Sequence, residues 1–282
     1  MEYVSTSIPD SISVKGIYTA ISPNLSRDPG NRGEAHDFPE IFFLKRGAHS
    51  INVGGEVFKL KSGQILIYAP GSNHRSIAAS DSDALIISFD VVGDSLKEIY
   101  NRKITLSGEQ ERLLTELISD AIKCFEGRGP AAKIGGMVLK HGVDDYTLQK
   151  IKKQLEFFLI NVHKSYIDTE KSKREKRWDD EINSVIDLMR RSTSENLSLS
   201  EIADRSSMSV SKLKLLFREK KKCGPINYFI EIKIEKAKEY IKEGKLNFTE
   251  ISERLGFNSL HYFSRLFKKI TGISPSEYSK GV

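Results

Sequence analysis

The first ninety residues place apolar side chains in short runs. The stretches 12–20, 41–44, 49–53, 57–60, 65–68 and 85–89 are rich in β-branched and aromatic residues. Turn signals separate them, at Gly54-Gly55, Ser62-Gly63 and Pro70-Gly71-Ser72-Asn73. So many short strands at close spacing predict a small barrel or sandwich. From residue 107 onward the period changes. Leu113, Leu114, Leu117, Ile118, Ala121 and Ile122 recur at helical spacing, and Ser107 with Gln110 reads as a capping box at the start. A Gly/Pro-rich loop is expected at Gly127-Arg128-Gly129-Pro130. A second helix is predicted over 146–166, with Leu148, Ile151, Leu155, Phe158, Leu159 and Val162 on one stripe. That stripe suits packing on the barrel or pairing with the same helix of another subunit, and it is the candidate dimerisation face.

The charged stretch 168–180 (DTEKSKREKRWDD) has little to bury except Trp178. It is the expected linker between a domain over 1–167 and a second over 181–282. The second domain has helical periodicity and a weak internal repeat. Leu199-Ser200-Glu201-Ile202-Ala203-Asp204-Arg205 parallels Phe248-Thr249-Glu250-Ile251-Ser252-Glu253-Arg254. Each is followed by a turn, 206–209 and 255–258, and then by a longer helix, 210–221 and 259–270. Leu213, Leu216 and Phe217 of the first correspond to Phe263, Leu266 and Phe267 of the second, and both repeats stop at a Gly followed by Pro. The pattern is a helix-turn-helix unit, twice. The second helices are left with free faces carrying Ser211, Lys212, Lys214, Leu215 and Arg218, and Leu260, His261, Ser264, Arg265 and Lys268. Basic and hydroxyl side chains on such a face suit phosphates and base edges. Between the units, 226–243 is strongly periodic and lacks Gly and Pro. A rod of roughly 27 Å there approaches one turn of B-DNA, about 34 Å.

Charge divides along the same boundary. From Lys171 onward the chain carries 24 Lys and Arg against 16 Asp and Glu, while residues 1–170 are slightly acidic, so the overall +6 lies wholly in the C-terminal part. Double-stranded DNA is the expected partner of the basic part. Cys124 and Cys223 are the only cysteines and lie far apart, which argues against a disulfide framework or a cysteine zinc site. The chain has no run of eighteen apolar residues and its start lacks a signal-peptide pattern, so a cytoplasmic location and no membrane partner are expected.

Three segments carry a family resemblance: Ile251-Ser252-Glu253-Arg254-Leu255-Gly256-Phe257, Tyr262-Phe263-Ser264-Arg265-Leu266-Phe267-Lys268-Lys269, and Thr271-Gly272-Ile273-Ser274-Pro275-Ser276-Glu277-Tyr278. They resemble the signature of the AraC/XylS transcription regulators, over about 181–280. The first unit is looser, with Ser207-Met208 where a small residue and glycine are frequent, and with Gly224 directly before Pro225. The resemblance implies base contacts from Ser211, Lys214 and Leu215 and from Leu260, His261, Ser264 and Arg265. Leu215 and Leu260 depart from the usual polar readers and suit a thymine methyl.

The same resemblance implies an N-terminal cupin barrel. Glu34-Ala35-His36, Glu40 and Gly47 are similar to the first cupin motif, with Glu34 in place of its first histidine, and Gly63 with Pro70-Gly71-Ser72-Asn73-His74 is similar to the second. In metal cupins the matching residues hold a divalent ion, so His36, Glu40 and His74 could supply three ligands. Regulators of the family typically use the barrel for an organic effector, so no cofactor, no metal and no enzymatic activity are expected. The expected fold class is α+β: an N-terminal cupin-like β-barrel with flanking helices, then an all-α domain with two helix-turn-helix motifs joined by a long helix. His36, Glu40, Phe42, Tyr68, His74 and Arg75 are the candidate effector-binding residues. The implied partners are DNA, a small-molecule effector, RNA polymerase if the protein activates, and a second copy of the chain. The alternatives are an N-terminal domain that answers to a protein partner, or a metal-dependent cupin enzyme fused to a DNA-binding domain.

Overall fold

A computed structural model describes residues 6–25, 33–78, 81–127 and 136–281. The chain divides into two compact units, Met1–Glu170 and Lys171–Val282.

The first unit opens with β1 (Ser13–Ile21), β2 (Asn24–Leu25), β3 (Glu40–Arg46), β4 (Ala48–Val53), β5 (Glu56–Lys61), β6 (Gln64–Tyr68), β7 (His74–Ala78), β8 (Ser82–Val92) and β9 (Lys103–Thr105). These form two antiparallel sheets. The larger has the order β1-β8-β3-β6-β9, with β2 pairing on β8, and the smaller has the order β5-β4-β7. Strand alternation explains the unbroken apolar run Ile41-Phe42-Phe43-Leu44, because both faces of β3 are covered. Phe42 and Leu44 point to a core shared with Ile51, Val53 and Leu60 of the smaller sheet. Ile41 and Phe43 point the other way, into a core with the helices.

Those helices are α1 (Gly108–Cys124) and the first part of α2 (Asp145–Arg191), joined through the hairpin β10 (Phe125–Gly127) and β11 (Met137–Leu139). The Ser107 hydroxyl accepts from the Gln110 N–H, and the Gln110 side chain accepts from the Ser107 N–H, closing the expected capping box. Of the Gly/Pro-rich loop, Gly127 ends β10, and Arg128, Gly129 and Pro130 lie outside the described residues.

Two expectations need correction here. Ile151, Leu155, Phe158, Leu159 and Val162 are at most 1% exposed, packed with the large sheet and α1 in their own unit. They are not available to a second subunit. Leu148 is half-buried and lines a groove with Ile17 and Phe125 rather than forming an open face. The second correction concerns the linker. Residues 168–180 are helical throughout, inside α2, which runs on to Arg191 instead of stopping near 166. The stretch has neither Gly nor Pro and is dominated by Lys, Arg and Glu, which are good helix formers.

In the second unit α2 ends with Ile182, Val185, Ile186 and Met189 in a core that also holds Ile202, Ala203, Leu213, Leu216, Phe217 and Phe229. The following helices are α3 (Leu199–Arg205), α4 (Val210–Lys221), α5 (Pro225–Glu243), α6 (Phe248–Arg254), α7 (Leu260–Thr271) and α8 (Pro275–Lys280). A second core gathers Ile234, Ala237 and Ile241 of α5 with Ile251, Leu255, Phe263 and Phe267. Each helix-turn-helix unit therefore has its own apolar centre, and α5 contributes to both.

Candidate functional site

Helix starts in the second unit are written in short polar residues. Ser198 and Asn247 cap α3 and α6, each in a reciprocal box with the glutamate three residues on, Glu201 and Glu250. Ser209 and Ser259 cap α4 and α7 by accepting from the N–H groups of Lys212 and Tyr262. These caps orient the two second helices, whose apolar stripes are buried and whose opposite faces are open. Ser211, Lys212, Lys214, Leu215 and Arg218 are all exposed on α4. On α7, Leu260, His261, Arg265 and Lys268 are exposed and Ser264 is half-buried.

The charged heads on these faces differ in surroundings. Lys212 Nζ lies 2.7 Å from Glu181 Oε1, and Arg218 Nε lies 3.5 Å from Glu219. The Arg265 guanidinium lies over the Tyr262 ring, 5.4 Å from its centre, and has no ion-pair partner among the described residues. Lys220, beyond the expected face, pairs with Asp179 at 2.6 Å.

Sequence reasoning missed Lys233, which is 3% exposed in the middle of α5. Its ammonium donates to the Glu195 carbonyl at 2.6 Å and lies 4.7 Å from the Phe229 ring and 5.2 Å from the Phe257 ring. Burial lowers its pKa to about 8. A lysine on the apolar stripe of an amphipathic helix was the available signal.

In the first unit the register places Glu40 between Ser88 on β8 and Tyr68 on β6. Ser88 donates to Glu40 Oε2 at 2.6 Å and also bonds Thr19. His74 reaches the row from β7, and its ring stacks on Tyr68 at 4.1 Å. A reciprocal backbone pair between Glu34 and His74 brings the segment carrying His36 alongside, so that the His36 and His74 rings lie 5.0 Å apart. His36 Nε2 and His74 Nε2 lie 3.7 and 3.8 Å from the two Glu40 carboxylate oxygens. Burial raises the Glu40 carboxyl above its usual range, against the Ser88 hydrogen bond and the two imidazoles. Burial, then the charges of Glu40 and Glu34, pushes the Tyr68 phenol well up.

Four of the six candidate effector residues, His36, Glu40, Tyr68 and His74, are thus brought together. Arg75 is not among them. It follows His74 on β7, strand alternation turns it outward, and it is exposed. Phe42 is 3% exposed and belongs to the packed core between the sheets, stacked on His49 at 5.2 Å, so it backs the site rather than opening onto it. Ser88 was missed. Its signal was a hydroxyl within the apolar run Ile86-Ile87-Ser88-Phe89.

Residues 27–131 match the family described as AraC-like ligand binding domain, and residues 202–281 match a helix-turn-helix domain family. The chain carries an AraC-like ligand-binding domain followed by an AraC-type helix-turn-helix domain, and its homologues are AraC-family HTH transcriptional regulators. Among curated proteins it is similar to the HTH-type transcriptional regulator GbdR of Pseudomonas aeruginosa, at 26% identity over 97 residues, 34% of this chain and 26% of that protein. It is 31% identical to the arabinose operon regulatory protein of Escherichia coli over 86 residues, 30% of each chain. The chain thus spans less than a third of the length of either. It is 24% identical over 246 residues to YfiF of Bacillus subtilis, an uncharacterized HTH-type transcriptional regulator, covering 85% of this chain and 76% of that one. Among solved structures it is similar to the C-terminal domain of AraT, a response regulator from Geobacillus stearothermophilus, with 28% identity, a TM-score of 0.35, and coverage of 36% of this chain and 85% of that one. No helix among the described residues is long and apolar enough to cross a membrane.

Proposed function

We propose that the chain is a sequence-specific transcription regulator that grips double-stranded DNA through α4 and α7 and answers to a small molecule through its N-terminal unit. The observation that supports this most is the pair of open helix faces. Each belongs to the second helix of a capped helix-turn-helix unit, and the two units are joined by α5, 19 residues without interruption. A rod of about 28 Å sets two recognition helices near the spacing of successive major grooves, about 34 Å. Lysines and arginines around the faces supply the phosphate attraction, and base edges are read by the few side chains at the centre. Arg265 is the strongest candidate reader, because an arginine fork pairs with the O6 and N7 of guanine. Lys212, held by Glu181 in the free protein, exchanges that carboxylate for a phosphate on binding.

For an effector to regulate, it must favour one of two states of the protein. His36, Glu40, Tyr68 and His74 are the residues assigned to it. The protein acts in the cytoplasm as a homodimer, and where it activates it contacts RNA polymerase. Dimer contacts on α2 then fall outside the buried stripe.

The test is Arg265→Ala in a binding assay against a selected DNA site. Affinity should fall by about 1–3 kcal/mol, with preference relaxed at one base position. Unchanged affinity together with unchanged preference would sink the assignment of α7 to the groove.

A further inference from the structure

We propose that His36, Glu40 and His74 form a mononuclear site for a first-row divalent transition-metal ion. One candidate donor atom from each residue lies within 4.8 Å of the other two. The ring orientations decide what these atoms offer. His36 Nδ1 lies 2.7 Å from the Phe38 carbonyl oxygen, and His74 Nδ1 lies 3.1 Å from the Ser72 carbonyl oxygen. A carbonyl only accepts, so each Nδ1 carries the proton, and in the neutral imidazole each Nε2 presents a lone pair. Both lone pairs converge on the Glu40 carboxylate, itself an acceptor. His36 Nε2 is buried and has no hydrogen-bond partner among the described residues. Three acceptors facing one another in a half-buried site repel unless a cation sits among them, and buried polar atoms in native proteins are seldom left unpaired.

The supporting contacts are those of a metal site rather than of a chance cluster. Both histidines are anchored through the far nitrogen, His36 is stacked on Phe38 and His74 on Tyr68, and Ser88 holds the carboxylate. For metal–ligand bonds of about 2.1 Å, neighbouring donors lie roughly 3.0–3.4 Å apart. The two glutamate–histidine separations, 3.7 and 3.8 Å, run to different carboxylate oxygens, and the three donors, all within 4.8 Å of one another, draw together around a bound ion. Two imidazoles and one carboxylate favour iron(II), manganese, cobalt, nickel or zinc over calcium or magnesium, which prefer oxygen alone. Glu34, at the position of a fourth ligand in the cupin motif, is exposed and joins His74 through its backbone, outside the three-donor set.

The full chain is stripped with a chelator and titrated anaerobically with Co2+, Ni2+, Zn2+, Mn2+ and Fe2+. One equivalent of at least one ion should bind, with Co2+ giving visible d–d absorption bands. Glu40→Gln keeps the side-chain shape and an acceptor for Ser88, so it should melt as the parent does while binding metal at least tenfold more weakly. Ser88→Ala, which touches no metal, should weaken uptake by about tenfold. His163→Ala, at a surface histidine paired with Glu98, should leave uptake unchanged. The proposal is overturned if none of the five ions binds stoichiometrically at millimolar concentration. It is equally overturned if binding survives Glu40→Gln and Ser88→Ala at parental strength.

Discussion

The two helix-turn-helix units share one plan and differ in how their turns are made. In the second, the turn after α6 passes through Gly256 at φ +61°, and a Cβ there would lie 2.5 Å from the Ser194 carbonyl oxygen. In the first, the corresponding left-handed position is taken by Ser207 at φ 53°. The same contrast recurs where the second helices end. Gly272 closes α7 at φ +86°, and Lys222 closes α4 at φ 58°. Twice the first unit uses a side chain where the second uses glycine, at a cost of roughly 1–2 kcal/mol per left-handed residue. A backbone shape can thus be kept while the residue best suited to it is lost, provided that the space beside it is open. At Gly256 that space is closed.

The largest effects should come from the separate cores. Phe217→Ala and Phe267→Ala each remove a fully buried ring, from the first and second core respectively. Each should destabilise by about 3–5 kcal/mol. In hydrogen exchange on the full chain, the loss of protection should concentrate in the unit that carries the change. If either variant deprotects both units equally, they are one cooperative block and the comparison fails.

Next comes the turn itself. Gly256→Ala meets both the left-handed backbone and the Ser194 carbonyl, and should cost about 2–3 kcal/mol. Ser207→Ala keeps the existing backbone cost and should change stability by less than about 1 kcal/mol. Chemical denaturation of the two variants side by side measures the difference. Equal losses would mean that the close contact at Gly256 contributes nothing.

How much of this was legible follows from the range of the interactions. The bounds of α3, α4 and α6 could be read closely because caps, stop signals and apolar spacing are all local. The capping box at Ser107 was legible for the same reason. The continuous helix through 168–180 was not, since a charged run serves as linker or helix equally well. Nor was the fate of the α2 stripe, because periodicity shows that a face is apolar and not what covers it. In the N-terminal unit, motif spacing singled out His36, Glu40 and His74. Register was needed to add Ser88 and to turn Arg75 outward. Lys233 was hidden because its partners, Glu195 and Phe257, lie 38 and 24 positions away.

Lys233 is also the place where the two units meet chemically, since Phe229 belongs to the first core and Phe257 packs on the second. In the folded chain its amine gives up the proton near pH 8, and in the unfolded chain near 10.5. Across that window the unfolded state binds more protons, so this residue makes stability rise with pH. Below pH 8 the burial penalty on the charged form is present in full. Lys233→Met should remove the rise, seen as a difference between parent and variant in denaturation midpoints at pH 7.5 and 10. A variant whose profile parallels that of the parent would show that the lysine is not held in its buried contacts.

The smallest effect sharpens the contrast at the helix ends. Lys222 stands in the left-handed position that closes α4, its neighbour Lys221 lies over the Tyr228 ring at 5.6 Å, and Gly224 opens α5 two residues on. Lys222→Gly relieves the left-handed strain but adds freedom to the unfolded chain, two terms of opposite sign. The strain term is the larger, so the first unit should gain about 0.5 kcal/mol. DNA affinity should fall only as far as the loss of one basic side chain predicts, with a shallower salt dependence. The reciprocal change, Gly272→Lys, should lower stability by a similar amount or more, since the terms then reverse. If both substitutions are neutral in thermal unfolding, the identity of the closing residue is immaterial in either unit. The difference between the units then reduces to the one contact at Gly256.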